Sequence, residues 1–199
     1  MLCYAIPPDA VRVEPPVAWL TRARVVGIAR ANYVFDNDLK NYGDPKPQSE
    51  QMANHIRAAR TERALEHYTG LPWHEAIGVL GGPDLGDRVQ VRSKFYPPGG
   101  DLAFRPGLDW RGRQLDRDDH AFMLVWDAEE YFLIIGWLWG RECRAADAKL
   151  HPGGYKYIGP PYRTPGSLLL GLKATPEILS SATTATAMSW DQQTPDADF

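Results

Sequence analysis

The sequence predicts an α/β domain with a central mixed β-sheet flanked by helices. Three observations carry this. Two helical patterns open the chain. From residue 76 onward the pattern turns to strands. Two of those strands are apolar almost throughout, which suits a sheet covered on both faces. The 199 residues are enough for one well-buried core.

The elements follow in order. Residues 1–15 contain Pro7, Pro8 and Pro15 and are expected to be irregular. Pro16–Tyr33 reads as a helix, with proline at its start and a rough apolar stripe of Val17, Leu20, Val25, Ile28 and Ala29. A polar loop, Asp36–Pro47, leads to the clearest helix, Ser49–Tyr68. Ser49 is its expected cap, Glu50 suits its first turn, and Gly70 with Pro72 ends it. Ala76–Leu80 is a short strand-like run. Arg88–Lys94 alternates, with Val89, Val91 and Ser93 on one face and Arg88, Gln90, Arg92 and Lys94 on the other. Asp101–Arg105 follows a Pro-Pro-Gly-Gly turn and reads as the partner strand. Ala121–Asp127 and Glu130–Trp139 are long apolar strands joined by a tight acidic turn. Gly140–Lys149 reads as a short helix, and Gly153–Leu172 as short extended pieces among turns.

This divides the chain into an N-terminal segment with one helix (1–48), an α/β core (49–173) and a tail (174–199). The tail holds Glu177, Asp191, Asp196 and Asp198 and no Lys or Arg, and its composition predicts disorder. Without it the net charge moves from −3 to +1. Its end, Pro-Asp-Ala-Asp-Phe199, offers an aromatic ring among acids, a form that suits a basic-rimmed pocket on a protein partner.

Composition excludes several classes. Cys3 and Cys143 form no CxxC pair, so neither a disulfide framework nor a cysteine zinc site is expected. The longest apolar stretch, Tyr131–Trp139, is too short to span a bilayer, and Met1–Pro8 lacks the pattern of a secretory signal. A cytoplasmic location is expected. Ser93 and Ser167 stand in no nucleophile-elbow context, and no glycine-rich loop ends in Lys-Ser or Lys-Thr. Arg57, Arg60 and Arg63, and Arg105, Arg111, Arg113 and Arg117, form two arginine clusters that read as solvated surface. Trp137 and Trp139 share one strand face and read as core. His67, His74 and His120 fall at no metal-ligand spacing; His74 is a general-base candidate by its place in sequence.

The chemistry-bearing candidates are Asp84, Gln90, Arg92 and Glu62. Asp84 follows Pro83 and precedes the strand on which Gln90 and Arg92 share a face. Glu62 lies on the preceding helix, with Glu66 one turn on. An Asp carboxylate, an amide oxygen and a helical Glu are hard oxygen donors of the kind Mg²⁺ takes, and a nearby cation suits a phosphate. Each alone also fits a bland role: a turn residue, a wet strand face, a surface ion-pair partner.

The series Thr61–Trp73, Pro83–Lys94, Asp101–Asp109, Asp116–Asp127, Tyr131–Arg144 and Tyr155–Leu170 resembles the PD-(D/E)XK nuclease superfamily, in particular small phage and metagenomic proteins of that fold. The resemblance implies a single restriction-endonuclease-like domain and Mg²⁺- or Mn²⁺-dependent hydrolysis of DNA. It implies Glu62 as the helix acid, Asp84 as the main metal ligand, Gln90 as the second strand ligand, and Arg92 in the lysine place. Gln90 is neutral where the family carries an acid. Arg92 carries a guanidinium, which does not act as a base. These departures open the alternative of an inactive nuclease-fold module that binds nucleic acid or serves in phage assembly.

Overall fold

The computed structural model describes residues 6–37, 47–78, 82–95, 101–108 and 112–173. The acidic tail, the Pro-Pro-Gly-Gly turn and Val79–Leu80 lie outside the described residues. The architecture is mixed α/β. Its elements are β1 (Val11–Val13), α1 (Val17–Asp36), α2 (Gln48–Thr69), β2 (Val89–Phe95), β3 (Leu102–Phe104), β4 (Ala121–Asp127), β5 (Phe132–Trp139), α3 (Gly140–Ala145), β6 (Lys156–Ile158) and α4 (Leu168–Lys173). No helix among the described residues is long and apolar enough to cross a membrane.

The main sheet has the order β1-β5-β4-β2, with β2 parallel to β4 and the other pairs antiparallel. A second, two-stranded sheet pairs β3 with β6. Strand β4 is buried at every position. Its alternate residues divide between two clusters: Ala121, Met123 and Val125 on one face, Phe122, Leu124 and Trp126 on the other. With apolar residues packed on both of its faces, β4 is covered on both sides, as its near-continuous hydrophobicity predicts. Trp137 and Trp139 pack edge to face at 5.2 Å within the first cluster, as the core reading requires.

Several expectations are corrected. Residues 11–13 form an edge strand on β5, with Val13 in the core; the flanking prolines bound this strand rather than prevent it. The start of α2 is Pro47, whose carbonyl accepts from the amides of Glu50 and Gln51, both at 3.0 Å. Ser49 lies inside the first turn and caps nothing. Gly70 ends α2 as expected, in the left-handed conformation (φ 71°) with its amide donating to the Glu66 carbonyl. Of Ala76–Leu80, the described residues 76–78 form no strand. Strand β3 pairs with β6 and not with β2. The third helix stops at Ala145, short of Lys149, and residues 165–173 are helical, so that Leu168 and Leu172, one turn apart, pack on the core.

Helix α1 buries Ala23, Val26, Gly27 and Ala31, a different phase from the stripe read in the sequence; Val17 is 80% exposed and Val25 53%. Gly27 is required here: a Cβ at that position would lie 2.5 Å from the Ile56 Cα of α2. This close approach brings the inner faces of the two helices together.

Candidate functional site

The inner stripe of α2 runs through Ala59, Glu62 and Leu65, so Glu62 is carried into the interior and is only 4% exposed. The inner stripe of α1 brings Arg30 opposite it. Arg30 Nη1 donates to Glu62 Oε1 at 2.8 Å, while its Nε and Nη2 donate to the carbonyls of Ala76 and His74. Trp73 Nε1 donates to the other oxygen, Glu62 Oε2, at 2.6 Å. Burial, followed by the charge of Asp84, pushes the Glu62 carboxyl up to about 7, against the opposing pull of Arg30 and Trp73. Glu66 is not part of this acid pair; it binds Arg63.

Asp84 is fixed by backbone contacts at the approach to β2. Its amide donates to the Val89 carbonyl at 2.8 Å, and its carbonyl accepts from the His74 amide at 2.9 Å. Its Oδ2 accepts from the Val91 amide at 2.7 Å, satisfying a donor on the outer edge of β2. Oδ1 accepts no hydrogen bond from a described residue. Burial raises this carboxyl above its ordinary range, opposed by the Val91 amide and by the charges of Arg92 and Arg30.

Gln90 and Arg92 share a face of β2, as the alternation predicts, but Gln90 is buried rather than wet. Its Nε2 donates to the Gly82 carbonyl, and its Oε1 accepts from Arg92 Nη1 at 3.3 Å. Arg92 Nε donates to the Ala103 carbonyl at 2.9 Å. Its Nη2 lies 2.8 Å from Asp116 Oδ2, an ion pair without an aligned hydrogen bond. Asp116 is 3% exposed and also binds Arg105 through the backbone amide (2.7 Å) and the guanidinium (3.1 Å).

The site therefore joins Glu62, Asp84 and Asp116 to Arg30, Arg92 and Arg105. Arg30 and Asp116 were not singled out in the sequence as site residues. The signal for Arg30 was its spacing of three and four from Gly27 and Val26 on the buried stripe, which only the correct phase of α1 makes visible. Asp116 lies within the tract that resembles the nuclease family, without a motif of its own.

A pocket of about 340 Å³ opens beside Asp84, between α1, α2 and the loop that precedes β2. Tyr33, His55 and His74 line it together with Arg30. His74 Nε2 lies 2.6 Å from the Gly86 carbonyl, which assigns the proton to that nitrogen. Burial, with the charge of Arg30 beside it, lowers the pKa of His55 and favours its neutral form. His67 packs on Trp19, and His120 is buried, close enough to Asp116 to feel its charge.

The arginines of α2 are not a free basic surface. Arg57 lies over the Phe95 ring, Arg60 pairs with Asp127 at 3.3 Å, and Arg63 pairs with Glu66. Cys143 is buried and free, with burial pushing its thiol up to about 12.

Among the described residues no group of three or more His, Cys, Asp or Glu side chains is placed to hold a metal ion. As arranged, the ligand trio implied by the resemblance does not fit Mg²⁺. Both Glu62 oxygens are taken by donors, the Gln90 amide oxygen faces a guanidinium, and among the described residues only Asp84 keeps an oxygen without a donor. Comparison of the chain with protein-family models, with curated proteins and with solved structures finds no match.

Proposed function

We propose that this chain is a nucleic-acid-binding protein with a restriction-endonuclease-like fold, in which guanidinium ion pairs stand in for the metal centre. The fold assignment rests on the resemblance, on the mixed sheet, and on the order helical Glu62, Pro83-Asp84, then Gln90 and Arg92 on one strand face. The observation that carries the loss of the metal is the charge balance. Three carboxylates, Glu62, Asp84 and Asp116, meet three guanidiniums, Arg30, Arg92 and Arg105. A divalent cation requires a surplus of negative oxygens, and here each is offset. A proton held on either raised carboxyl turns the cluster net positive, which favours a phosphate over a metal ion. The test is incubation of the protein with duplex, single-stranded and branched DNA in Mg²⁺ and in Mn²⁺. Salt-sensitive binding without cleavage is expected. Metal-dependent cleavage by the unaltered chain rejects the proposal.

A second reading is the active Mg²⁺- or Mn²⁺-dependent, phage-encoded DNA nuclease. Asp84 Oδ1, which no described residue donates to, and the mutual repulsion of Asp84 and Glu62 favour it. It requires Arg30 to leave Glu62.

A further inference from the structure

We propose that the outer face of the β3–β6 sheet is a stacking platform for a base of single-stranded nucleic acid, with Lys94 receiving the adjacent phosphate. In this antiparallel pair Leu102, Phe104 and Ile158 face the core, so Ala103 and its partner Tyr157 face outward. Tyr157 is 39% exposed. The Tyr155 ring runs nearly parallel to it, 21° off with centroids 6.2 Å apart, and the exposed His151 ring meets it edge-on at 4.8 Å. The turn that presents these rings is closed by backbone bonds from the His151 amide to the Tyr155 carbonyl and from the Gly154 amide to the His151 carbonyl. Three aromatic rings thus stand together where a fixed turn enters β6, with His151 and Tyr157 exposed and Tyr155 half-buried.

Lys94 is the independent observation. It extends from β2, two residues beyond Arg92 on the same face, and its ammonium lies 5.3 Å from the Tyr157 centroid. It makes no hydrogen bond or ion pair with a described residue, and burial, only partly offset by Asp101, disfavours its charge. An anion at this point would restore what burial removes. Lys156, next to Tyr157 on β6, shows the contrast: its ammonium donates to the carbonyls of Arg144 and Ala146, both at 2.9 Å, and so serves the fold. A half-buried ammonium beside a partly exposed group of aromatic rings matches the base-then-phosphate repeat of a single strand.

The choice of polymer rests on the nucleic-acid reading above. The test is fluorescence anisotropy with labelled oligothymidine at low salt, using the full chain. Tyr157→Leu is expected to weaken binding about tenfold while Tyr157→Phe stays within about twofold. Lys94→Gln should reduce the slope of log K against log salt by about 0.7. Unfolding temperatures identify any variant that fails to fold; for Tyr157→Leu in that case, the Lys94→Gln slope decides alone. Unchanged affinity and slope in folded variants overturn the platform. So does a parent that binds duplex but not oligothymidine, and the nucleic-acid reading then survives. A parent that binds oligothymidine through Tyr157 and also cleaves DNA with Mg²⁺ keeps the platform and overturns the metal-free proposal.

Discussion

Arg30 and Glu62 form the ion pair that joins α1 to α2: Nη1 stands 2.8 Å from Oε1, with the two side chains only 14% and 5% exposed. Removing one partner of a buried pair leaves the other charged without compensation. Arg30→Met is therefore expected to lose about 3–5 kcal/mol of stability at pH 8. At pH 5 the loss should be much smaller, because Glu62 can then take a proton. Urea unfolding at the two pH values checks this; equal losses at both would show that Arg30 acts through packing alone.

The Glu62 carboxyl sits at about 7, above its ordinary 4.5. Between those values the folded chain keeps a proton that the unfolded chain has released, so this group's contribution to stability falls as pH rises. The expected unfolding free energy declines across that window by up to ~1.4 kcal/mol per pH unit. Glu62→Gln should flatten this segment of the curve. A variant with the parent's slope would assign the effect to another group.

Trp73 fills space with its ring and donates to Glu62 Oε2 with its indole N–H at 2.6 Å. Trp73→Phe keeps most of the ring and removes the donor. A loss of about 1.5–3 kcal/mol at pH 8 is expected, the range for a hydrogen bond to a charged group. Chemical denaturation of the double variant Trp73→Phe, Glu62→Gln should show a smaller loss at Trp73, since the charge it serves is gone.

Gly27→Ala places a methyl group 2.5 Å from the Ile56 Cα, and backbone cannot yield as a side chain can. Separation of α1 from α2 is expected, with a loss of at least ~1–3 kcal/mol and a weakened Arg30–Glu62 pair. Gly70→Ala ends the same helix pair at a position with nothing within 4 Å, so its smaller loss should come from backbone conformation alone. Thermal unfolding of the two variants separates close packing from strain.

Local pattern made much of this molecule legible. The near-continuous apolar runs of β4 and β5, the glycine stop after α2, and the shared face of Gln90 and Arg92 all rest on residues next to one another in sequence. The pairing of β3 did not. A three-residue strand carries no record of its partner, and here β3 bonds to β6 across more than fifty residues. The Arg92 side chain, on the Ala103 carbonyl, ties it to β2. The acid pair was visible as Glu62 and Asp84. The cations that neutralise it were harder to see, since an arginine on an apolar stripe looks like an error of phase until the opposing helix supplies its carboxylate. Arg30 is that case. Gln90 looked like a wet strand residue because alternation cannot distinguish solvent from a buried polar network.

Under the proposed function, arginine offsets the acids of this site and leaves no place for a metal ion. Calorimetric titration of Mn²⁺ into the unaltered protein tests it most directly, with Asp84→Ala as the comparison. Both proteins are expected to give the same small, non-saturating heats. Stoichiometric binding to the parent that Asp84→Ala abolishes would contradict it.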